Sequence, residues 1–418
     1  MPYGRTSRGK LWWAFMPGRR ELEIWRSTGL CVVELGSGIS AAFGARLLAD
    51  FGADVIKVET PGAGDETRRA GPFPGDIPHP EKSGLFLYLN FNKRGMTLDI
   101  GTPTGAALLA KLIADADVLI ENLGSGRFDA IPFPADALPE RLVVCSISTY
   151  GQDGPKSGYH GSEITAYASG GMMYITGCGE REPLKQGLNQ AGHLAGINAA
   201  SATLAAALGA RNSGRGRRID ISEQETVAWI TFPALNLYSH TGGVMKRGPG
   251  QMPRLVNSRP METQDGWIMP SYAGLGTWWE QFAAFMQMPE LAEERFLTPR
   301  GRRERAEEID DIVAPRLRGR SKQEIFHEGQ AAGLTLAALE TAKEVVNSPH
   351  LAEREFFIEQ EHPVAGRVSM PGPVPAASEH GRGAVPSAPT LGQHNDELLG
   401  ALGLSRDEIN MLVGAGII

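Results

Sequence analysis

The sequence predicts an α/β fold, with a mostly parallel sheet covered by helices on both faces, and three observations predict it. Short apolar runs with strand character alternate with helical periodicity from Leu30 to Ser222. The first strand, Cys31-Val32-Val33-Glu34-Leu35, reads as buried, as strands covered on both faces do. It runs directly into a glycine-rich turn, Gly36-Ser37-Gly38, that opens a helix.

That helix reaches Asp50, with Leu47 and Leu48 on its apolar side. Gly52-Ala53-Asp54 then turns the chain into a second strand, Val55–Glu59, which completes a βαβ unit. The turn fits G-x-G-x-x-[GA], and Glu59 supplies an acid at the end of the second strand, as a dinucleotide site requires. The pattern is loose, and a helix N-terminus serves any anion. Pro61–Pro80 is a long loop rich in Gly and Pro that carries Asp65, Arg68 and Arg69; loops of that length in a compact domain are often functional. Asn90-Phe91-Asn92-Lys93-Arg94 leads into a strand, Met96–Ile100. Thr102-Pro103 is a good N-cap and first-turn pair for a helix over Thr104–Ala114. Strands follow at Val118–Asn122, which runs into Leu123-Gly124-Ser125-Gly126-Arg127, and at Leu142–Ser148. Gly192–Asn212 is a helix of Ala, Gly and Leu, small enough to pack closely on another helix. After a strand at Arg217–Ser222, a long apolar helix from Glu223 to about Leu237 leaves the sheet.

A different pattern occupies 241–340. Gly242-Gly243 and Gly248-Pro249-Gly250 read as a hinge-like loop, and Met261–Ile268 as a hairpin turning at Asp265-Gly266. Tyr272–Met286 and Arg302–Leu317 are amphipathic, with Trp278 and Trp279 expected in a core. Pro363–Pro375 is extended, and Asp396–Leu402 and Arg406–Gly414 are short helices that cannot bury a core of their own. The expected layout is therefore a basic, aromatic extension over 1–26, a large domain over 27–222, a linker helix over 223–240, a small domain over 241–340, and a return to the large domain over 341–418. The apolar run Leu11–Met16 in the extension is too short for a secretory segment, and no small-residue cleavage site follows it.

Composition narrows the function. At 418 residues the chain can hold two domains, and 42% hydrophobic with 21% charged residues is the balance of an ordinary soluble protein. A net charge of −7 argues against a nucleic-acid binder. No run of about 18 apolar residues exists, so no membrane insertion is expected. Cys31, Cys145 and Cys178 are odd in number and far apart, which fits a reducing, cytoplasmic setting rather than a disulfide framework. The nine histidines show no ligand spacing, so no metal site is expected.

The chemistry is expected in Ser169–Gly187. A helix of small residues ends there in a Gly pair, and the turn Thr176-Gly177-Cys178-Gly179 follows, with Glu180 next. Glycines around a turn allow positive φ and let the backbone approach a ligand. Glu180 beside such a turn acts as a nucleophile or caps the loop, and the residues alone leave both open.

Seven short stretches in order then carry a resemblance. They are Leu47–Glu59, Gly64-Asp65-Glu66-Thr67-Arg68, Asn90–Arg94, Glu121-Asn122-Leu123-Gly124-Ser125-Gly126, Gly214-Arg215-Gly216, Leu351–Phe357 and Ala388-Pro389-Thr390-Leu391-Gly392-Gln393-His394. From about Leu30 to Ile418 the chain resembles the family III CoA-transferases, the CaiB–BaiF type that includes formyl-CoA transferase and carnitine CoA-transferase. The resemblance implies a Rossmann-like large domain built from N- and C-terminal parts, a smaller α+β domain between them, and an interlocked dimer, formed with a second copy or with a paralogous subunit. It implies acyl-CoA and a small carboxylic acid as substrates, with no permanently bound cofactor. It makes the Gly36–Gly38 turn a CoA anchor, and it carries CoA contacts onto Ser37, Gly38, Ile39, Thr60, Lys93, Asn122 and Leu123. The arginine usual some eight residues past Asn122 is Ala130 here, and Arg127 is expected in its place.

The family nucleophile is an Asp in Thr-Gly-x-x-Asp-x-x-Pro. This chain reads Thr176-Gly177-Cys178-Gly179-Glu180-Arg181-Glu182-Pro183, so the carboxylate is kept on a side chain one methylene longer. Either Glu180 works in a site shifted to fit it, or the chain is the non-catalytic subunit of a heteromer whose partner supplies the Asp. The family's racemases need a His–Asp pair where this chain has Ser162 and His193, which weighs against 2-methylacyl-CoA racemase. The glycine-rich flap of formyl-CoA transferase reads Arg254–Pro260 here, against an oxalate specialist and with Arg254 and Arg259 as candidate acceptor-carboxylate ligands. A nicotinamide oxidoreductase is the rival from another class, separable by titration with CoA and NAD.

Overall fold

The computed structural model describes residues 29–247, 260–270, 278–373 and 385–418. The expected extension over 1–26, the Gly248-Pro249-Gly250 loop, Arg254 and Arg259, and positions 272–277 of the expected Tyr272–Met286 helix lie outside the described residues.

Strands β1 (Cys31–Leu35), β2 (Asp54–Glu59), β3 (Arg94–Thr97), β4 (Val118–Glu121), β5 (Val143–Ser148) and β6 (Arg218–Ser222) form one sheet in the order β3-β2-β1-β4-β5-β6. Every neighbouring pair is parallel. Side chains alternate between faces with a period of two. Val32, Val55, Val118, Ile120, Val143 and Cys145 pack on one face, under α1 (Ser40–Asp50) and α6 (Gln190–Ser213). Val33, Ile56, Val58, Leu119 and Val144 pack on the other, with α3 (Pro103–Ala114). Helix α6 lies close on α1, because an added Cβ on Gly196 would sit 2.9 Å from the Ser40 carbonyl. The small residues expected to permit close packing find their partner within the same chain. α2 (Gly84–Asn90) is capped by Ser83 and α3 by Thr102, whose hydroxyl accepts from Gly105 N–H at 3.0 Å.

The chain divides into two compact units. The first holds the sheet, α4 (Glu163–Ser169), α6, α7 (Glu223–Ile230) and the chain from Glu355 to Ile418. In that last stretch α16 (Asn395–Ala401) and α17 (Arg406–Gly414) supply Leu398, Leu399 and Ile409 to the core on the α3 side. Asp99 N–H donates to the Ile417 carbonyl at 2.7 Å. The second unit takes Gly171–Gln186 and Thr231–Arg354. It contains α5 (Met172–Ile175), α8 (Phe232–Thr241), a three-stranded sheet of β7 (Met261–Glu262), β8 (Trp267–Pro270) and β9 (Leu336–Ala338), and helices α9 (Trp278–Met286), α10 (Glu294–Leu297), α11 (Pro299–Glu304), α12 (Ala306–Arg318), α13 (Lys322–Ala331), α14 (Ala342–Val346) and α15 (Pro349–Glu353). Trp278, Trp279 and Phe282 are buried there with Phe296, Ile309 and Val313.

The structure departs from the sequence reading at several elements. The helix from Glu223 is two helices, because Pro233 in the first turn of α8 has no N–H to continue α7. The Arg302–Leu317 helix is broken at Arg305, whose φ of −121° separates α11 from α12. Within the expected extended stretch 363–375, β11 (Gly366–Pro371) is extended and pairs antiparallel with β10 (Phe357–His362), a hairpin with Gly366 at φ 74° in its turn. The segment carrying Glu180, read with the large domain, groups with the second unit instead.

Candidate functional site

The sheet order reverses between β1 and β4, and a doubly wound sheet takes its ligand beyond the carboxyl ends of the strands at that point. A groove of about 710 Å³ lies there. Ser37, Gly38 and Ile39 line it from the turn after β1, and Asn122, Leu123 and Arg127 from the turn after β4. Glu66 and Arg69 join from the long loop after β2. The sequence reading notes Arg69 only as part of the long loop; it stands one residue past the Gly64–Arg68 stretch and carries no assigned contact there.

The two turns are locked to each other. Asn122 Oδ1 accepts from Ser37 N–H at 3.0 Å, while its Nδ2 donates to the Ser37 carbonyl at 2.7 Å and to Ser40 Oγ at 3.3 Å. Gly38 N–H donates to Asp65 Oδ1 at 3.2 Å, and Glu66 N–H to Ser37 Oγ at 2.8 Å. The N–H groups of Ser37 and Gly38 are thus satisfied within the protein. The turn shapes the groove. Gly36 is required by this lock: its φ is 125°, and an added Cβ would lie 1.8 Å from Asn122 Oδ1. Gly36→Ala is expected to break the lock and, on the reading that this turn anchors CoA, to weaken CoA binding about 10-fold, the order lost when a single hydrogen-bonded contact is misplaced. Isothermal titration with CoA checks this, and unchanged affinity would count against the lock.

Beneath the turn lies a buried ladder of charge. Lys57 Nζ sits 2.7 Å from Glu34 Oε1 and 2.8 Å from Asp65 Oδ2. Lys93 Nζ sits 2.7 Å from Glu34 Oε2 and donates to the Ala42 carbonyl at 2.8 Å and to Asn90 Oδ1 at 2.9 Å. Lys93, expected as a CoA contact, is turned inward. Its three donors are taken inside the core, its side chain is fully buried, and it does not line the groove. A motif lysine beside a strand reads alike whether it faces ligand or core; here the neighbouring Glu34 on β1 draws it inward. Thr60 is also absent from the groove wall; it is exposed, and its carbonyl accepts from Gly64 N–H at 2.9 Å.

Burial would raise the Asp65 carboxyl, but Lys57 and Thr67 outweigh it and hold it down at about 2. Burial opposes ionisation of Glu34 too, and Lys57 and Lys93 together keep that carboxyl below its usual range. Burial draws the Lys93 ammonium down to about 8, with Lys57 adding to the shift and Glu34 opposing it. A second buried pair holds the long loop itself: Arg68 Nε lies 2.7 Å from Glu59 Oε2, and Arg68 Nη2 2.8 Å from Glu59 Oε1. Glu59 therefore anchors the loop, with both carboxylate oxygens taken by Arg68.

The far wall of the groove is acidic. Glu163 accepts from the N–H groups of Ala191 and Gly192 at 3.1 and 3.0 Å, neutralising the first turn of α6. Burial pushes the Glu223 carboxyl up, a bond to Ser40 works against that shift, and Glu163 adds to it. Tyr150 and Tyr159, with ring centroids 6.3 Å apart, complete the wall. Among the described residues no group of His, Cys, Asp or Glu is placed to hold a metal, and no helix is long and apolar enough to cross a membrane.

In the second unit, Glu180 is exposed at the third position of a turn closed by Arg181 N–H donating to the Cys178 carbonyl at 3.2 Å. Gly177 precedes it at φ 111°. In the first unit, His193 has its Nδ1 2.6 Å from the Asn189 carbonyl and its ring edge-on to Phe43.

Residues 28–395 match the family described as CoA-transferase family III. The chain is 32% identical over 394 residues to the succinyl-CoA–D-citramalate CoA-transferase of Chloroflexus aurantiacus, covering 93% of this chain and 96% of that one. It is 28% identical to the succinyl-CoA:(R)-benzylsuccinate CoA-transferase subunit BbsE of Thauera aromatica, over 91% of this chain and 96% of that one. Among solved structures, a CAIB/BAIF family protein from Brucella suis superposes with a TM-score of 0.78 at 26% identity, over 90% of this chain and 98% of that one. A family match across nearly the whole chain, together with a groove at the sheet's reversal point, places this protein in CoA-transferase family III.

Proposed function

We propose that the chain moves CoA from an acyl-CoA thioester to a carboxylic acid, with Glu180 as the group that carries it. The supporting observation is the presentation of Glu180: an exposed carboxylate at a glycine-flanked turn, in the family's Thr-Gly-x-x-acid-x-x-Pro frame. A carboxylate suits this chemistry, being ionised at neutral pH without an adjacent base, unlike Ser or Cys. The carboxylate attacks the thioester carbonyl, CoA leaves as thiolate, and a mixed anhydride forms. The thiolate then attacks the glutamyl carbonyl of the anhydride, releasing the donor acid and leaving a glutamyl-CoA thioester. The acceptor carboxylate attacks that thioester, and the thiolate returns to the new acyl group, freeing Glu180. Backbone N–H groups of a glycine-lined turn are suited to hold the oxyanion at each attack.

Succinyl-CoA is the donor this reading favours, since both relatives above are named for it. Incubating the purified protein with succinyl-CoA alone should add CoA to the peptide that contains Glu180, as read by mass spectrometry. The second reading is a non-catalytic subunit of a heteromer. The relative named as a subunit favours it, as does the longer side chain at position 180. A homodimer that neither turns over nor forms the adduct, but does both once mixed with a paralogue, would select that reading.

In the groove, Arg69 and Arg127 are the cations proposed for the CoA phosphates, while Glu163 and Glu223 face the uncharged pantetheine. Charge-assisted hydrogen bonds to phosphate are among the stronger ones. Arg127→Ala and Arg69→Ala are each expected to raise KM for succinyl-CoA about 10-fold while kcat changes by less than about 3-fold. Steady-state kinetics decides: a fall in kcat at constant KM would remove these arginines from phosphate binding.

A further inference from the structure

The loop that presents Glu180 is closed at its base and tied across its tip. At the base, Leu184 N–H donates to the Thr176 carbonyl at 3.1 Å, and the Thr176 hydroxyl donates to the Met172 carbonyl at 2.8 Å. Leu184 packs against Gly177, where an added Cβ would lie 3.1 Å from its Cγ. The tip is held by a residue 66 positions beyond Arg181 in the chain. Arg247, which follows α8, donates from Nε to the Cys178 carbonyl at 3.2 Å and to the Arg181 carbonyl at 3.0 Å, and from Nη2 to the Arg181 carbonyl at 2.8 Å. Those two carbonyls are the ends of the Cys178–Arg181 turn, and Glu180 stands between them.

We propose that Arg247 is a positioning residue for the reaction: its guanidinium brackets the turn and fixes the direction in which Glu180 projects. This rests on Glu180 as the nucleophile. A planar fork can bridge two carbonyls at once, whereas a lysine ammonium on a flexible stem is a point donor without that fixed geometry. An exposed four-residue turn without the bracket is free to redirect its side chains, and a displacement of about 1 Å from a reacting carbon costs on the order of 100-fold in rate. Arg247 touches no reacting atom in this scheme, so its loss should slow the chemistry without loosening the grip on CoA.

The test compares Arg247→Ala, Arg247→Lys and Glu180→Gln in the full chain, with thermal melting to confirm folding. Hydrogen exchange on the free protein reads the 176–184 loop directly, and the rate of CoA addition from succinyl-CoA reads its consequence. For Arg247→Ala the expected result is faster exchange in that loop, adduct formation and kcat down about 10- to 100-fold, and KM for succinyl-CoA within about 3-fold of the parent. Arg247→Lys should recover only part of the rate, and added guanidinium should raise the rate of the Ala variant but not of Glu180→Gln. Unchanged loop exchange, or adduct formation at the parent rate, in Arg247→Ala would overturn the proposal. A Glu180→Gln protein that still forms the adduct at the parent rate would instead overturn the choice of nucleophile, and with it the catalytic role given to Arg247; the exchange measurement would still report whether the bracket exists.

Discussion

Glu180→Gln is expected to lose all detectable CoA adduct and at least about 10⁴-fold in turnover, the order seen when a covalent nucleophile is removed. The amide is nearly isosteric and keeps the hydrogen-bonding shape of the loop. It lacks the charge and the second oxygen lone pairs needed to attack a thioester, so neither the anhydride nor the glutamyl thioester can form. Glu180→Asp is the informative companion. In a site fitted to the longer side chain, the shorter one should cost about 10- to 100-fold in kcat, with KM for succinyl-CoA little changed. A gain in rate with Asp would show that the site has kept the family's geometry and that Glu180 is a recent misfit. If the purified chain is inactive and Glu180→Asp confers activity on it, the heteromer reading is favoured. Single-turnover mass spectrometry of the 169–187 peptide separates these outcomes without knowledge of the acceptor.

Lys57→Met is expected to destabilise the protein by about 3–5 kcal/mol, the cost of leaving a buried carboxylate without its counter-charge. Lys57 is fully buried and, among the described residues, bridges Glu34 and Asp65 in the ladder beneath the Gly36–Gly38 turn. Its removal leaves Asp65 Oδ2 with no cation, while Glu34 keeps Lys93. Because Asp65 Oδ1 also accepts from Gly38 N–H, the loss should reach the groove, and CoA affinity should fall along with the urea midpoint. A midpoint shift below that expected for a surface substitution, about 0.5 kcal/mol, would remove the ladder from the account of stability.

The same ladder sets a pH dependence whose sign follows from its shifts. Glu34 and Asp65 bind protons less readily when folded than when unfolded. Their contribution is complete above the unfolded carboxylate range of about 4 and is lost as pH falls toward about 2, where folded Asp65 takes up its proton. Lys93 has the same sign of slope in a higher window. Between about 8 and the unfolded value near 10.4, the unfolded chain holds more protons, so stability from this group rises with pH across that window. Lys57→Met should move the acid transition to higher pH, since Asp65 then loses what holds its carboxyl down.

Much of the fold was legible before any coordinates. Strand positions, the Thr102-Pro103 helix start, the tryptophans in a core and the glycine turn after the first strand are written in local periodicity and in residues whose backbone preferences act over a few positions. The breaks at Thr231 and Arg305 and the third strand, Leu336–Ala338, were not, because amphipathic spacing continues across a kink and an isolated three-residue strand has no period to detect. At the site, Ser37, Gly38, Ile39, Asn122, Leu123 and Arg127, which the resemblance marked as CoA contacts, lie together along one groove. The inward turn of Lys93, the capture of Ser37 by an Asn 85 positions away, and the reach of Arg247 to the Glu180 turn had no local signature. Short-range sequence encodes which residues are buried and where the backbone bends. Which charge meets which, and which N–H is left for a ligand, depends on strands distant in the chain lying side by side, and only the packed sheet and loops bring those groups within hydrogen-bonding range.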